Sequence, residues 1–128
     1  MTPMVLSAST LQGDDVVNPG GEKLGKLKEV MIDITTGNVG YAVLSRGGVM
    51  GMGEKLFAVP WSIMTVDGDN EQIVLDVTEE FLDGAPGFDP DHWPEFSSPA
   101  WGEDIHRHYG IEPYWSTDSD DTTLPPLT

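Results

Sequence analysis

The chain has 128 residues with 15 Gly, 10 Pro and no Cys, and a formal net charge of −16. That is enough for one domain with one modest core and an appended segment, and it excludes disulfide staples, thiolate metal sites and cysteine nucleophiles. The charge repels phosphate backbones, so no nucleic-acid partner is expected, and no window approaches the roughly 20 apolar residues of a membrane span.

The N-terminal MTPMVLSAST lacks the basic flank and apolar length of a signal peptide, so a cytoplasmic protein with no direct membrane insertion is expected. Residues 1–9 carry no clear period and read as a flexible lead-in. Asp14 to Val17 predicts a first strand, and Asn18-Pro19-Gly20-Gly21 a turn. Residues 22–48 then predict a β-hairpin, two apolar runs around Thr35-Thr36-Gly37-Asn38. Val30, Ile32 and Ile34 share one face, with Glu29, Met31 and Asp33 on the other. Leu27 is out of phase with that set, and a bulge near Lys28 would repair it. In the second run Val39, Tyr41 and Val43 alternate with Ala42 and Leu44, so the strand is buried on both sides or covered by a partner on one.

After a glycine-rich loop carrying Val49, Met50 and Met52, Leu56 to Trp61 predicts a strand that Pro60 ends or places at an edge. Gly68-Asp69-Asn70 is a turn, and Gln72 to Val77 alternates as a strand. Thr78 is a helix cap with Glu79 and Glu80 in the first turn, and Gly84-Ala85-Pro86-Gly87 ends that single turn. Residues 89–115 predict an extended wrap anchored by Trp93 and Phe96, then a short helix. Ser98-Pro99 starts that helix, Trp101, Ile105 and Tyr109 form one stripe, and Gly110 closes it. Residues 116–128 are expected to be a disordered acidic tail.

Charge is unevenly spread: residues 1–55 hold six acids and five bases, whereas residues 56–128 hold sixteen acids and Arg107 as the one base. The acidic half reads as a solvated surface or a docking surface for a basic partner. Lys23, Lys26 and Lys28 read as a solvated strand edge. Gly48 to Lys55 is not a phosphate loop, because Glu54 separates Gly53 from Lys55. Asp67 to Glu71 lacks the glycine and the twelfth-position glutamate of a calcium loop, and His106 and His108 do not share a helix face. No catalytic, cofactor-binding or metal-ligating residue is expected, and no cofactor.

Gly25, Val30-Met31-Ile32-Asp33, Gly37, Tyr41-Ala42-Val43-Leu44, Gly48, Val59-Pro60-Trp61 and Ile73-Val74-Leu75-Asp76 resemble the PRC-barrel family. That is the barrel of the cytoplasmic H subunit of photosynthetic reaction centres, found also in a ribosome maturation factor. The likeness covers residues 10–88, and Ala85 to Trp115 resembles the C-terminal extension of stand-alone bacterial members. The resemblance implies an all-β fold, a small antiparallel PRC-type β-barrel of five to six strands with a short helical C-terminal extension. It implies a protein-binding module, often self-associating; the two-sided apolar hairpin, the Met-bearing loop and the aromatic C-terminal segment exceed what one small barrel can hide, so a non-enzymatic adaptor or scaffold that forms a homodimer is expected. The alternative that the resemblance implies is an accessory subunit supporting electron or proton transfer in a photosynthetic or respiratory complex. The residues expected at a partner or dimer contact are Tyr41, Val43, Val49, Met50, Met52, Trp101, Ile105 and Tyr109.

Overall fold

The computed structural model describes residues 4–47 and 53–116. The Met-bearing loop and all of the acidic tail beyond Ser116 therefore lie outside the described residues. A short helix α1 (Ala8–Leu11), capped by the Ser7 side chain, precedes β1 (Asp15–Val17), β2 (Lys23–Asp33) and β3 (Asn38–Arg46). Then come β4 (Lys55–Pro60), a 3-10 turn (Trp61–Ile63), β5 (Met64–Asp67) and β6 (Gln72–Leu75). Helix α2 (Glu79–Asp83), β7 (Gly87–Phe88) and helix α3 (Pro99–His108) complete the described elements.

The chain is all-β in class, with seven strands in one sheet ordered β5-β6-β1-β2-β3-β4-β7. The two-residue β7 and the separate β5 take the number past the five or six expected. Every pairing is antiparallel except β1 with β6, which the chain reaches only after the long excursion through β2 to β5. The end strands β5 and β7 are not paired to each other, so the sheet curls without closing. Its curl is visible in the core. Val16, Leu24, Leu27, Leu44, Phe57, Val59, Ile73 and Leu75, from five different strands, meet in one cluster with Leu82 of α2.

The β2–β3 hairpin is as expected, including its bulge. Leu27 pairs with Leu44 and Glu29 with Val43, which leaves Lys28 as the extra residue and lets Leu27 and Val30 both reach the core. A second irregularity skips Gly40, since Met31 pairs with Tyr41 and Ile32 with Val39. Beyond it the face that began with Val30 runs out into solvent, so Ile32 is 55 % and Ile34 93 % exposed. The alternation that groups them with Val30 holds, but the core ends before them, so the face is not half-buried at the hairpin tip.

Local capping follows residue chemistry. The Thr78 side chain accepts from the Phe81 N–H at 3.1 Å and the Ser98 side chain from the Trp101 N–H at 3.4 Å, with Pro99 at the first helical turn. Arg46 binds α2 to the sheet, donating to Leu24 O at 2.8 Å, to Asp83 at 2.8 Å and to Glu79 at 3.1 Å. Lys23, Lys26 and Lys28 do not guard an edge, because β2 lies between β1 and β3. Lys23 and Lys26 instead share Asp15, and Lys28 pairs with Glu54. No described helix is long and apolar enough to cross a membrane.

Candidate functional site

The two faces of β3 are both apolar and both buried, each for its own reason. Ala42 and Leu44 point into the sheet's core, while Tyr41 belongs to a second cluster with Ala58 and Ile105. That outer cluster is covered by the chain's own segment after β7. The Tyr41 ring lies 5.2 Å from Trp101, 5.5 Å from His106, 5.6 Å from Phe96 and 5.8 Å from Tyr114, centroid to centroid, mostly edge to face. Such close cover demands small residues beneath it. A Cβ at Gly40 would fall 3.1 Å from the Tyr114 ring. One at Gly102 would fall 2.6 Å from Trp115 and 2.7 Å from Tyr41 Oη.

This covering segment, residues 89–116, forms a strap, and His106, 1 % exposed, locks its C-terminal end. The Tyr114 backbone N–H can only donate, so the Nε2 it meets at 3.2 Å must accept, and Nδ1 carries the proton toward Gly102 O at 2.7 Å. The imidazole is thus neutral in this arrangement, and burial pushes its pKa below the ordinary histidine value. Tyr114 then reaches the hairpin, its Oη donating to Asp33 Oδ2 at 2.7 Å, while Asp33 Oδ1 accepts from the Thr35 N–H at 2.9 Å. These two bonds, the Tyr114 hydroxyl foremost, hold the Asp33 carboxyl below the usual carboxylate range. Helix α3, the strap and the hairpin tip are therefore joined by one hydrogen-bonded series. Burial pushes the Tyr41 hydroxyl up to about 12, and its Oη, like that of Tyr109, finds no partner among the described residues.

Between the tip and the strap lies an open groove of about 480 Å³. Met31, Ile32, Asp33 and Ile34 form one wall, Phe96 to Pro99 another, and Tyr114 and Trp115 the third. Ile32 and Ile34 stand at its rim with their side chains in solvent. An aromatic-lined concavity, tied across by the Asp33–Tyr114 bond and flanked by exposed aliphatics, suits a contact with another molecule. Among the described residues no group of three or more His, Asp or Glu could hold a metal ion. His108 donates to Phe81 O at 3.1 Å, and Asp67 caps its own turn through Asn70. Glu54, in the loop that superficially resembles a phosphate site, accepts from Ser45 and Lys28.

Of the residues expected at a partner contact, Tyr41, Val43 and Ile105 are at most 3 % exposed and are covered within the chain. Trp101 and Tyr109 are half-buried against the outer cluster, and Val49, Met50 and Met52 lie outside the described residues. The structure thus brings Tyr41, Trp101, Ile105 and Tyr109 together, as an intramolecular seam. What sequence reasoning missed is the groove itself: Ile32 and Ile34 at the rim, Asp33 and Tyr114 joined across it, and His106 beneath. One signal was present. Gly102 interrupts a helix at a cost of about 1 kcal/mol relative to Ala, which points to a close approach by another group.

A family model described as the PRC-barrel domain matches residues 4–82. No curated protein matches the chain. Among solved structures, the chain is similar to a putative 16S ribosomal RNA processing protein RimM from Pseudomonas aeruginosa, at 15 % identity and a TM-score of 0.38. The match covers 59 % of this chain and 45 % of that one, so this chain spans under half of that protein's length.

Proposed function

We propose, on the footing that this chain belongs to the PRC-barrel domain family, that it is a non-catalytic module that binds other proteins, and that it does so through the hairpin tip and the groove beside it. The exposure of Ile32 and Ile34 on a tip tethered to the C-terminal segment by the Asp33–Tyr114 bond carries this reading. Exposed aliphatics on a rigid support lose little side-chain and loop entropy when covered, and that raises the affinity each buried group can deliver. The half of the chain that bears the tip is also nearly neutral, so it opposes approach less than the rest of the surface does.

Self-association as a homodimer is the finer form of the same reading, with Ile32 and Ile34 of two copies covering one another when no other protein occupies the tip. Two chains of charge −16 repel, so this contact is weak and strengthens as salt rises. Sedimentation velocity across a range of concentration and salt tests it. A salt-promoted dimer that Ile34→Ser abolishes is the expected result. A monomer under every condition removes the homodimer and leaves docking of a different protein as the use of the surface.

A further inference from the structure

We propose that the groove beside the hairpin tip binds an arginine side chain carried on an extended segment of another protein. The inference rests on the reading of the tip as a docking surface and adds the chemistry of what docks there. Phe96, Tyr114 and Trp115 give the groove aromatic walls, and the one carboxylate among its described lining residues is Asp33. That carboxylate is ionised and held in place by the Tyr114 hydroxyl and the Thr35 N–H. A carboxylate offers about four acceptor sites; the Tyr114 hydroxyl and the Thr35 N–H fill two with full hydrogen bonds, while the Thr36 N–H and the Thr35 hydroxyl interact with it more weakly.

No lysine or arginine of the chain lines the groove. Lys23, Lys26, Lys28, Arg46 and Arg107 are committed to acids of their own chain, and Lys55 lies over the Phe57 ring, 5.7 Å from its centroid. A cation at Asp33 would come from outside the chain, and the field of a −16 chain favours its approach. A second copy, whose own cations are paired in the same way, is a poor source. Arginine fits better than lysine. Its planar guanidinium stacks on aromatic rings while its fork donates to a carboxylate, and it sheds water more readily than an ammonium does. The rim isoleucines then cover apolar residues next to the arginine in the docking segment.

Amide NMR spectra of the full chain, titrated with the peptide acetyl-Ala-Arg-Ala-amide and with its neutral citrulline counterpart, test the proposal. Expected are shifts confined to residues 31–35, 96–99 and 114–115 for the arginine peptide, with binding roughly fivefold weaker for citrulline. Asp33→Asn should weaken binding similarly. Because that change also touches the hairpin turn, Ser97→Lys serves as a second variant: it leaves the Asp33–Tyr114 bond intact and sets a competing cation at the groove. Equal response to both peptides, shifts spread evenly over the acidic surface, or no shift at all would overturn the proposal. Groove signals that move with protein concentration and ignore the peptide would assign the groove to a second copy. In that case the arginine site fails while the docking surface stands; a groove insensitive to both, together with a monomeric chain unaffected by Ile34→Ser, would remove the docking surface too.

Discussion

Replacing Gly102 by Ala sets two opposed effects against each other, and their magnitudes decide the outcome. In a helix interior Ala is worth about 1 kcal/mol more than Gly, so an uncrowded site would gain stability. Here the new methyl would lie 2.6 Å from Trp115 and 2.7 Å from Tyr41 Oη. Trp115 packs on His106 and Tyr114, and the Tyr41 ring is hemmed in by Phe96, Trp101, His106 and Tyr114. Overpacking of a filled core costs about 1–3 kcal/mol, so the net expectation is a loss of up to ~2 kcal/mol. At roughly 3–5 °C per kcal/mol for a chain of this size, calorimetry should show a fall of several degrees in Tm. Tyr41→Phe removes one of the two clashing atoms, an oxygen with no partner among the described residues. In that background the penalty of Gly102→Ala should shrink by about 1 kcal/mol, a coupling that a double-mutant cycle reads directly. A Tm that rises by the full helix-propensity gain in the single variant would refute the packing of the strap on Tyr41.

Three further expectations concern His106, Arg46 and Ile34. His106 has its pKa lowered by burial, so between its folded and unfolded values the unfolded chain binds more protons and stability rises with pH. Its contribution is complete above about pH 6.5 and is lost as pH falls through the folded value; the groups facing it are Tyr41, Tyr114 and, through Tyr114, Asp33. Urea midpoints measured across this range should fall on acidification, and His106→Gln should flatten the dependence. Arg46→Lys keeps the charge but loses the fork that spans Leu24 O, Glu79 and Asp83, and should cost about 1 kcal/mol in chemical denaturation. Ile34→Ser changes a side chain that is 93 % exposed, so unfolding free energy should stay within about 0.5 kcal/mol of the parent while association is lost.

Much of the fold was legible because local rules and the fold agree. The out-of-phase Leu27 predicted the extra residue at Lys28, Thr78 and Ser98-Pro99 marked their helices, and Pro60 ended β4. The helix Ala8–Leu11 was not legible, since four residues held by one Ser7 cap leave no period to read. The parallel β1–β6 pairing depends on where the chain arrives after five elements, which no local pattern encodes. The candidate site was hidden for a related reason. Alternation placed Ile32 and Ile34 on the face of Val30, but the core ends before the hairpin tip and leaves them in solvent, and Asp33 and Tyr114 meet across 81 residues of sequence. The composition of β3 left open burial on both sides or cover by a partner on one, and in the structure both faces are buried within the chain. The covering element proved to be the chain's own strap, because the Trp101–Ile105–Tyr109 stripe lies on the same sheet face.

Site-specific photo-crosslinking in the cells that make the protein shows whether another protein docks at the hairpin tip. A photoreactive residue at position 34, on the hairpin tip, is compared with one at position 69, in the turn between β5 and β6. The account predicts a discrete protein adduct from position 34 that is missing from position 69. Equal adducts from both positions, or an adduct from position 69 alone, would contradict it.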